Sequence, residues 1–236
     1  MKKLIIGLCL LFIFTPVANA AKILEYKFND PSATRAVDTS GNGLNGTFKG
    51  NDDNSIQFVL CYRSATCGRD LKLDGVDDYV LVGDKPILDF RNSYTLMSWV
   101  KYTVSPERAT EPVYKSQAYW INITNATQRP KAGGFFEDCA NTDTRWQTVD
   151  GPSVIPQNTW THIASSYNGY KLSLFVNGVL VASKVIGTPV CTNNLPLVVG
   201  SAFKHGTPLN FVKGELDDVR LFNNAMTANQ VKTSMQ

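Results

Sequence analysis

The sequence predicts an all-β fold in which two antiparallel sheets pack as a sandwich, and three observations support this prediction. Helical periodicity is nearly absent from the 236 residues. Short runs of alternating apolar and polar residues recur along the chain, separated by Gly, Asn, Asp and Pro. Near the end, two Asn-Gly pairs divide three such runs. Regularly spaced short strands with turn residues between them are typical of β-sandwiches.

The first residues have the composition of a secretory signal. Two lysines precede an apolar run from Leu4 to Phe14, and the small residues Ala18-Asn19-Ala20 follow. This is the order of a signal peptide with its cleavage site. The apolar run is too short to span a membrane, which takes roughly 20 residues. We therefore predict a signal peptide at residues 1–20, a single domain at residues 21–236, and a secreted or periplasmic protein without a membrane span.

The predicted mature chain contains four cysteines, Cys61, Cys67, Cys139 and Cys191. An even number in an exported chain predicts two disulfides. The short spacing of CYRSATC makes Cys61–Cys67 the easiest loop to close, which leaves Cys139–Cys191. The Cys and His spacing matches no zinc site. The formal net charge of +3 comes without a basic cluster, so we expect no nucleic-acid partner.

The strands can be followed in chain order. KILEYKF alternates, a turn-rich loop follows, and LKLDG, DYVLVG and SYTLMSWVKYTV continue the pattern. The segment from Ser105 to Pro156 is irregular and rich in aromatic residues. Asn168-Gly169 and Asn177-Gly178 then predict a three-stranded meander, because Asn-Gly supplies the positive φ angles of a type I′ turn. Leu172, Leu174 and Val176 would share one face of its middle strand.

The last residues predict a short helix. In MTANQVKTSM, Thr227 is followed three residues later by Gln230, which is the pattern of a capping box. Val231 and Met235 would dock the helix on the sandwich, and the alternative is a frayed C-terminal tail.

Five motifs in order resemble one known family, the bacterial laminin-G-like domains of the concanavalin A-like lectin/glucanase superfamily. They are DTSGNGLNGT from Asp38, LKLDGVDDYVLV from Leu71, YTLMSWVK from Tyr94, TWTHIASSYNGYKLSLFVNGVLV from Thr159 and GELDDVRLFNNAMTANQV from Gly214. The resemblance implies a concanavalin A-like jelly roll of two curved antiparallel sheets. It also implies a carbohydrate- or protein-binding module, in some members with a structural calcium ion.

The resemblance does not extend to the catalytic motif of the superfamily's glucanases. Those enzymes place Glu-x-Asp-x-Glu on one strand face, whereas this chain has Glu215, Asp217 and then Val219. A retaining glycosidase needs two carboxylates about 5–5.5 Å apart. We therefore expect no catalytic residues and no enzyme activity. A glycan hydrolase or lyase with an unrecognised site is the remaining enzymatic alternative.

The motif GELDDVRLF also indicates a metal site. Leu216 and Val219 have opposite parity, so burying both requires a bulge at Asp217-Asp218. A bulge exposes oxygen ligands that suit calcium. We predict one structural calcium ion bound by Asp217 or Asp218 from the last strand and by Asp30, Asp38 and Asn42 from the first loop. The alternative is that these residues cap turns.

The aromatic residues divide into two groups. Trp99 and Trp160 lie in the family motifs and are predicted to be core residues. Tyr119, Trp120, Arg145 and Trp146 lie in the divergent middle, where aromatic faces and polar neighbours together suit a sugar ring. We predict that these four bind a carbohydrate ligand, although aromatics in a sandwich are often buried.

His162 has no nucleophile or acid beside it in the sequence, so we interpret it as structural. The sequence thus predicts a non-catalytic recognition module that binds carbohydrate. The alternative is a protein-interaction or structural module of the cell surface or periplasm, with a cell-surface protein as partner. The oligomeric state is not predicted.

Overall fold

The structure is a computed structural model, and it describes residues 21–50, 56–104, 108–137, 139 and 146–235. The predicted signal peptide lies outside the described residues. Two eight-stranded antiparallel sheets pack face to face, and a two-stranded hairpin and a short helix lie outside them. The all-β prediction is therefore confirmed.

The first sheet has the strand order β14-β13-β12-β7-β18-β5-β4, and β1 also pairs with β18. Its strands are β1 Lys22–Tyr26, β4 Gln57–Leu60, β5 Arg69–Asp74, β7 Tyr94–Tyr102, β12 Thr161–Tyr167, β13 Lys171–Val176, β14 Val179–Val185 and β18 Lys213–Phe222.

The second sheet has the order β11-β10-β9-β8-β15-β6-β3-β2. Its strands are β2 Arg35–Ala36, β3 Gly46–Lys49, β6 Tyr79–Gly83, β8 Thr110–Lys115, β9 Tyr119–Ile123, β10 Pro130–Phe135, β11 Trp146–Asp150 and β15 Leu197–Val199. The separate hairpin is β16 Ala202–Lys204 and β17 Thr207–Leu209, a 3₁₀ turn covers Pro86–Leu88, and the helix is α1 Ala228–Ser234.

The main core lies between the two sheets. It contains large apolar side chains from both inner faces, including Leu96, Ile121, Ile163 and Leu221. Fully burying such a side chain contributes about 1.5–3 kcal/mol. Because successive residues of a strand point to opposite faces, the same strands also present side chains outward. On each sheet a smaller buried cluster forms on the outer face.

The predicted meander is present as β12, β13 and β14. Leu172 and Leu174 face the core. Asn177 and Gly178 both have positive φ, as a type I′ turn requires. The first turn differs, because Asn168 is not among the residues with positive φ. Its side-chain oxygen instead accepts hydrogen bonds from the backbone of Tyr170 and Lys171.

The predicted helix is also present, with the complete capping box between Thr227 and Gln230. Val231 is fully buried and packs on the outer face of the first sheet. At the other end of α1, the Trp99 indole donates to the carbonyl of Met235. Trp99 and Trp160 are only half-buried, so they do not belong to the core predicted for them.

The predicted bulge interrupts β18. The register against β7 shifts between Asp217 and Arg220, and Asp218 has a φ of 48°. The extra residue lets both Leu216 and Val219 point into the core. It also turns Asp217, Asp218 and Arg220 away from the core.

Both predicted disulfides are present, Cys61–Cys67 and Cys139–Cys191. The first closes a short loop after β4, and the second ties the chain after β10 to the segment before β15. Among the described residues, no helix has the length and apolarity needed to cross a membrane.

Candidate ligand-binding site

A cavity of about 450 Å³ lies on the outer face of the second sheet. Strands β8 to β11 form its base, and the β16–β17 hairpin stands along its edge. Aromatic and polar side chains line it together: Ala109, Glu111, Tyr114, Gln117, Trp120, Asn122, Lys131, Phe135, Trp146, Thr148, Lys204, His205 and Asn210. An apolar pocket with a few converging polar groups is the usual form of a small-ligand site.

The polar floor of the cavity depends on a bulge in β8. Thr110 pairs with Ile123 and Val113 with Ile121, so Glu111 and Pro112 together oppose Asn122. In a regular strand of this sequence, Glu111 would have the same parity as Val113 and would point into the core. The bulge therefore places the carboxylate of Glu111 in the cavity, beside Asn122.

Glu111 and Asn122 are buried, with exposed fractions of 4% and 9%. The amides of Asn122 and Asn210 donate to Glu111 Oε1 over 3.2 Å and 3.4 Å. Glu111 Oε2 and Asn122 Oδ1 have no hydrogen-bond partner among the described residues. Burial raises the pKa of Glu111 to about 7, against the opposing effect of the two amide donors. The floor thus presents two acceptors without donors.

Aromatic rings form the walls. Trp120 lies between Tyr114 and Phe135, with ring centroids 5.6 Å and 5.5 Å apart. A Cβ at Gly133 would lie only 2.3 Å from the Trp120 ring, so glycine is needed there for the indole to lie against β10. Trp146 is half exposed, at 51%, and leaves a broad apolar face open beside the cavity.

The hairpin at the edge turns through His205 and Gly206, both with positive φ. This is the type I′ geometry that joins strands closely. Ser116 anchors the hairpin by donating to the carbonyl of Phe203 over 2.6 Å. The turn places Lys204 and His205 along the cavity.

The four residues predicted to bind ligand are not all in one place. Trp120 and Trp146 both line the cavity. Tyr119 is fully buried in the core, where its hydroxyl donates to the carbonyl of Leu88, so its role is in packing. Its neighbour Trp120 points to the opposite face because successive strand residues alternate. Arg145 lies outside the described residues.

The sequence prediction missed Glu111, Lys131, Lys204 and Asn210. The acidic residue within TEPVYK was the available signal for Glu111. Its orientation depends on the bulge, which the alternation alone does not reveal. Lys204 and Asn210 reach the cavity only through the hairpin, far along the chain from β8 to β11.

The acids predicted to bind calcium at the last strand already have partners. Both oxygens of Asp217 and of Asp218 accept hydrogen bonds, from Arg63, from Arg220 and from the Asp218 amide. Arg220 also pairs with Glu25 over 2.9 Å and donates to the Ser234 carbonyl at the end of α1. The guanidinium of Arg63 lies 4.5 Å from the centroid of the Trp99 ring. This outer cluster balances its charge with arginines.

The residues predicted from the first loop cap turns. Both oxygens of Asp38 accept hydrogen bonds, including those from the amides of Glu25, Ser40 and Leu44. Asp30 accepts from Ser32. Asn42 donates to the carbonyls of Lys22 and Ile23. None of these contacts needs a cation, and calcium binding stays a prediction.

Two further acidic groups and the buried histidine complete the outer face of the first sheet. Glu215 bonds Lys101 over 3.1 Å. Burial, together with the charges of Asp217 and Glu215, raises the pKa of Asp70 to about 7. His162 is fully buried against the edge of the Trp99 ring, and burial lowers its pKa to about 3. His162 is therefore neutral at physiological pH.

Two antiparallel sheets packed face to face, with a cavity on one outer face, define a β-sandwich. The family profile of the concanavalin A-like lectin/glucanases superfamily matches residues 74–232. The chain belongs to this laminin-G-like family. A search of curated protein sequences finds no significant match.

Solved structures of binding domains share the fold. Domain 4 of AbnA, an extracellular arabinanase from Geobacillus stearothermophilus in complex with arabinotriose, is 24% identical with a TM-score of 0.66, covering 92% of this chain and 99% of that domain. The binding domain of Paraclostridial mosquitocidal protein 1 is 15% identical with a TM-score of 0.67, over 90% and 51% of the two chains. The binding domain of botulinum neurotoxin DC, in complex with SialylT, is 14% identical with a TM-score of 0.63, over 92% and 52%. This chain spans about half the length of the two toxin domains.

Proposed function

We propose that this protein is an exported, non-catalytic recognition module that binds carbohydrate in the cavity on the outer face of the second sheet. One observation carries the proposal. Glu111 Oε2 and Asn122 Oδ1 are buried acceptors without donors at the floor of a cavity walled by aromatic rings. A buried acceptor left without a donor costs about 1–3 kcal/mol. A sugar supplies hydroxyl donors for the floor and a flat apolar face for Trp146.

The similar structures support the same class of function. The arabinanase domain was solved with arabinotriose, and its whole length is covered by this chain. Fold similarity alone is a weak argument for a particular ligand, so the site residues have to carry the test.

The proposal is tested with the mature, disulfide-bonded protein on a glycan array, followed by calorimetry with the best ligand. Trp146→Ala should weaken binding by up to about tenfold, because stacking on an aromatic face contributes on the order of 0.5–1.5 kcal/mol. The single substitution Asn122→Ala should weaken glycan binding more than Trp146→Ala does. Tyr170→Ala is the matched control, since Tyr170 is an exposed aromatic outside the cavity.

A folded protein that binds no glycan would overturn carbohydrate binding. It would favour the second candidate, a protein-interaction module. The edge strand β14 supports that candidate, because Val179, Leu180 and Val185 expose 62%, 45% and 55% of their surface. An exposed apolar edge strand is a template for pairing with another chain. Substituting Val179 and Val185 with lysine should then weaken partner binding, because charged side chains protect an edge strand from pairing.

A further inference from the structure

The charged groups around the cavity are unequal in number. Glu111 is the single acid among the described residues that line it, whereas Lys131, Lys204 and His205 are basic. Glu111 is also buried at the floor of the cavity. The lining is therefore electropositive, although the whole protein has a formal net charge of only +3.

The two lysines differ in what they contact. Lys131 pairs with Asp150 over 3.0 Å, so its charge is partly compensated. Lys204 makes no hydrogen bond or ion pair to any described residue. The positive charge of Lys204 nevertheless interacts electrostatically with Glu111 at the floor and acts to lower its pKa. Lys204 thus provides a cation at the edge of the cavity, on the anchored hairpin, with no ion-pair partner among the described residues.

The floor and the edge of the cavity require different hydrogen-bonding groups from a ligand. Glu111 Oε2 and Asn122 Oδ1 require donors, which the hydroxyls of a sugar provide. The ammonium of Lys204 requires an acceptor and favours an anionic one, because a charge-assisted hydrogen bond is roughly twice as strong as a neutral one. A ligand with an amine would satisfy Glu111 but would be repelled by Lys131 and Lys204.

From this arrangement we infer that the cavity takes an acidic sugar, whose hydroxyls donate to Glu111 and Asn122 and whose carboxylate accepts from Lys204. The inference rests on the proposed carbohydrate binding and names its ligand class. His205, next to Lys204 on the same turn, lines the same cavity and adds a further donor for the carboxylate.

The test uses oligogalacturonate, oligoglucuronate and sialyllactose, each beside a counterpart in which the carboxyl group has been reduced to an alcohol. Reduction keeps the sugar skeleton and removes only the charge. We expect at least one acid to bind roughly tenfold more tightly than its reduced form, as one charge-assisted hydrogen bond provides. Added salt should weaken the binding of the acid and leave the binding of the reduced form unchanged.

The preference should depend on Lys204. In Lys204→Gln the acid should bind no better than its reduced counterpart, so the ratio of the two affinities should fall from roughly ten to about one. Lys72→Gln is the matched control, because Lys72 is an exposed lysine on β5 in the other sheet. That variant should keep the full preference for the acid.

The outcomes separate the two proposals. If neutral glycans or amino sugars bind as tightly as the acids, or if Lys204→Gln keeps the preference, the acidic-sugar inference is wrong and carbohydrate binding stands. If the folded protein binds neither the acids nor any neutral glycan, both proposals fail. Circular dichroism of each variant shows whether it has folded.

Discussion

The two outer faces of the sandwich both bury charged groups, but they differ in what surrounds those groups. On the first sheet, Arg63 and Arg220 pair with Asp217, Asp218 and Glu25 beneath α1 and the Cys61–Cys67 loop. On the second sheet, Glu111 has only amide donors, its second oxygen has no partner, and it lines a cavity.

The difference shows how to distinguish a structural cluster from a site. In the first cluster the two arginines supply the opposite charge from within the chain, so these five groups stabilise the fold and hold the end of α1, although the neighbouring Asp70 has no hydrogen-bond partner among the described residues. In the second, no described residue supplies the missing partner, and the proposed function assigns it to a ligand. Both clusters depend on a β-bulge, at Asp217-Asp218 and at Glu111-Pro112, so the backbone device does not distinguish them.

The largest expected effect is on the paired cluster. Arg220→Met leaves Glu25 and Asp218 buried without their shared counterion, and breaking a buried pair costs about 3–5 kcal/mol. Urea unfolding measures this loss. Lys101→Met is the control, because the Lys101–Glu215 pair is more exposed and should cost below about 1 kcal/mol. Equal losses in the two variants would mean that burial does not matter here.

Gly133→Ala should act on the cavity instead. The added Cβ would collide with the Trp120 ring, and overpacking of this kind costs about 1–3 kcal/mol. The indole must move, so glycan affinity should fall together with the melting temperature. Gly187→Ala has no atom within 4 Å of its Cβ, although its φ of 80° brings backbone strain. This control should lose stability without losing affinity, and a Gly133→Ala protein with wild-type affinity would contradict the assigned position of Trp120.

The pH dependence of stability distinguishes the two kinds of buried acid. The folded-state pKa of Glu111 is about 7, above its ordinary value of 4.5, so the folded protein binds more protons than the unfolded chain between these values. Its stability therefore falls as the pH rises through this window. Relative to the wild type, the free energy of unfolding of Glu111→Gln should rise between pH 5 and pH 8, by on the order of 1–3 kcal/mol. Chemical unfolding at each pH measures this difference.

Glu25 should behave in the opposite way. Burial acts to raise its pKa, but hydrogen bonds from Lys22, Thr39 and Arg220 lower it to about 2. Its stabilising contribution is thus present above about pH 4.5 and is lost as the pH falls toward 2. Glu25→Gln should lower the free energy of unfolding at pH 7, and it should lower it by a smaller amount at pH 3. The same pH slope for both variants would contradict the comparison.

We expect the smallest effect from removing calcium. Since arginines and backbone amides already satisfy Asp217, Asp218 and Asp38, a chelator should leave the melting temperature unchanged. A calcium-dependent fall in the melting temperature, with metal found in the purified protein, would instead support the site predicted from the sequence.

The fold could be predicted from the sequence because its signals are local. The Asn177-Gly178 turn, the capping box at Thr227 and the parity conflict at Leu216 and Val219 each act within a few residues. The cavity could be predicted only in part. Trp120 and Trp146 could be found because they lie in an aromatic-rich segment of the sequence. Glu111, Lys204 and Asn210 could not, because a bulge and a hairpin distant in sequence bring them together.

The β16–β17 hairpin forms a two-stranded sheet of its own, outside the ladders of the sandwich. Its ladder therefore does not set the register of the two large sheets, although Phe203 and Leu209 pack on the buried outer cluster of the second sheet. Residues 202–209 can be exchanged as a cassette, with Lys204 and His205 as the variable part and Ala202 as the buried anchor. Under the proposed function, β8 to β11 supply the floor and walls of the cavity and the hairpin supplies its charged edge, so a library confined to the hairpin tests ligand preference apart from the rest of the site.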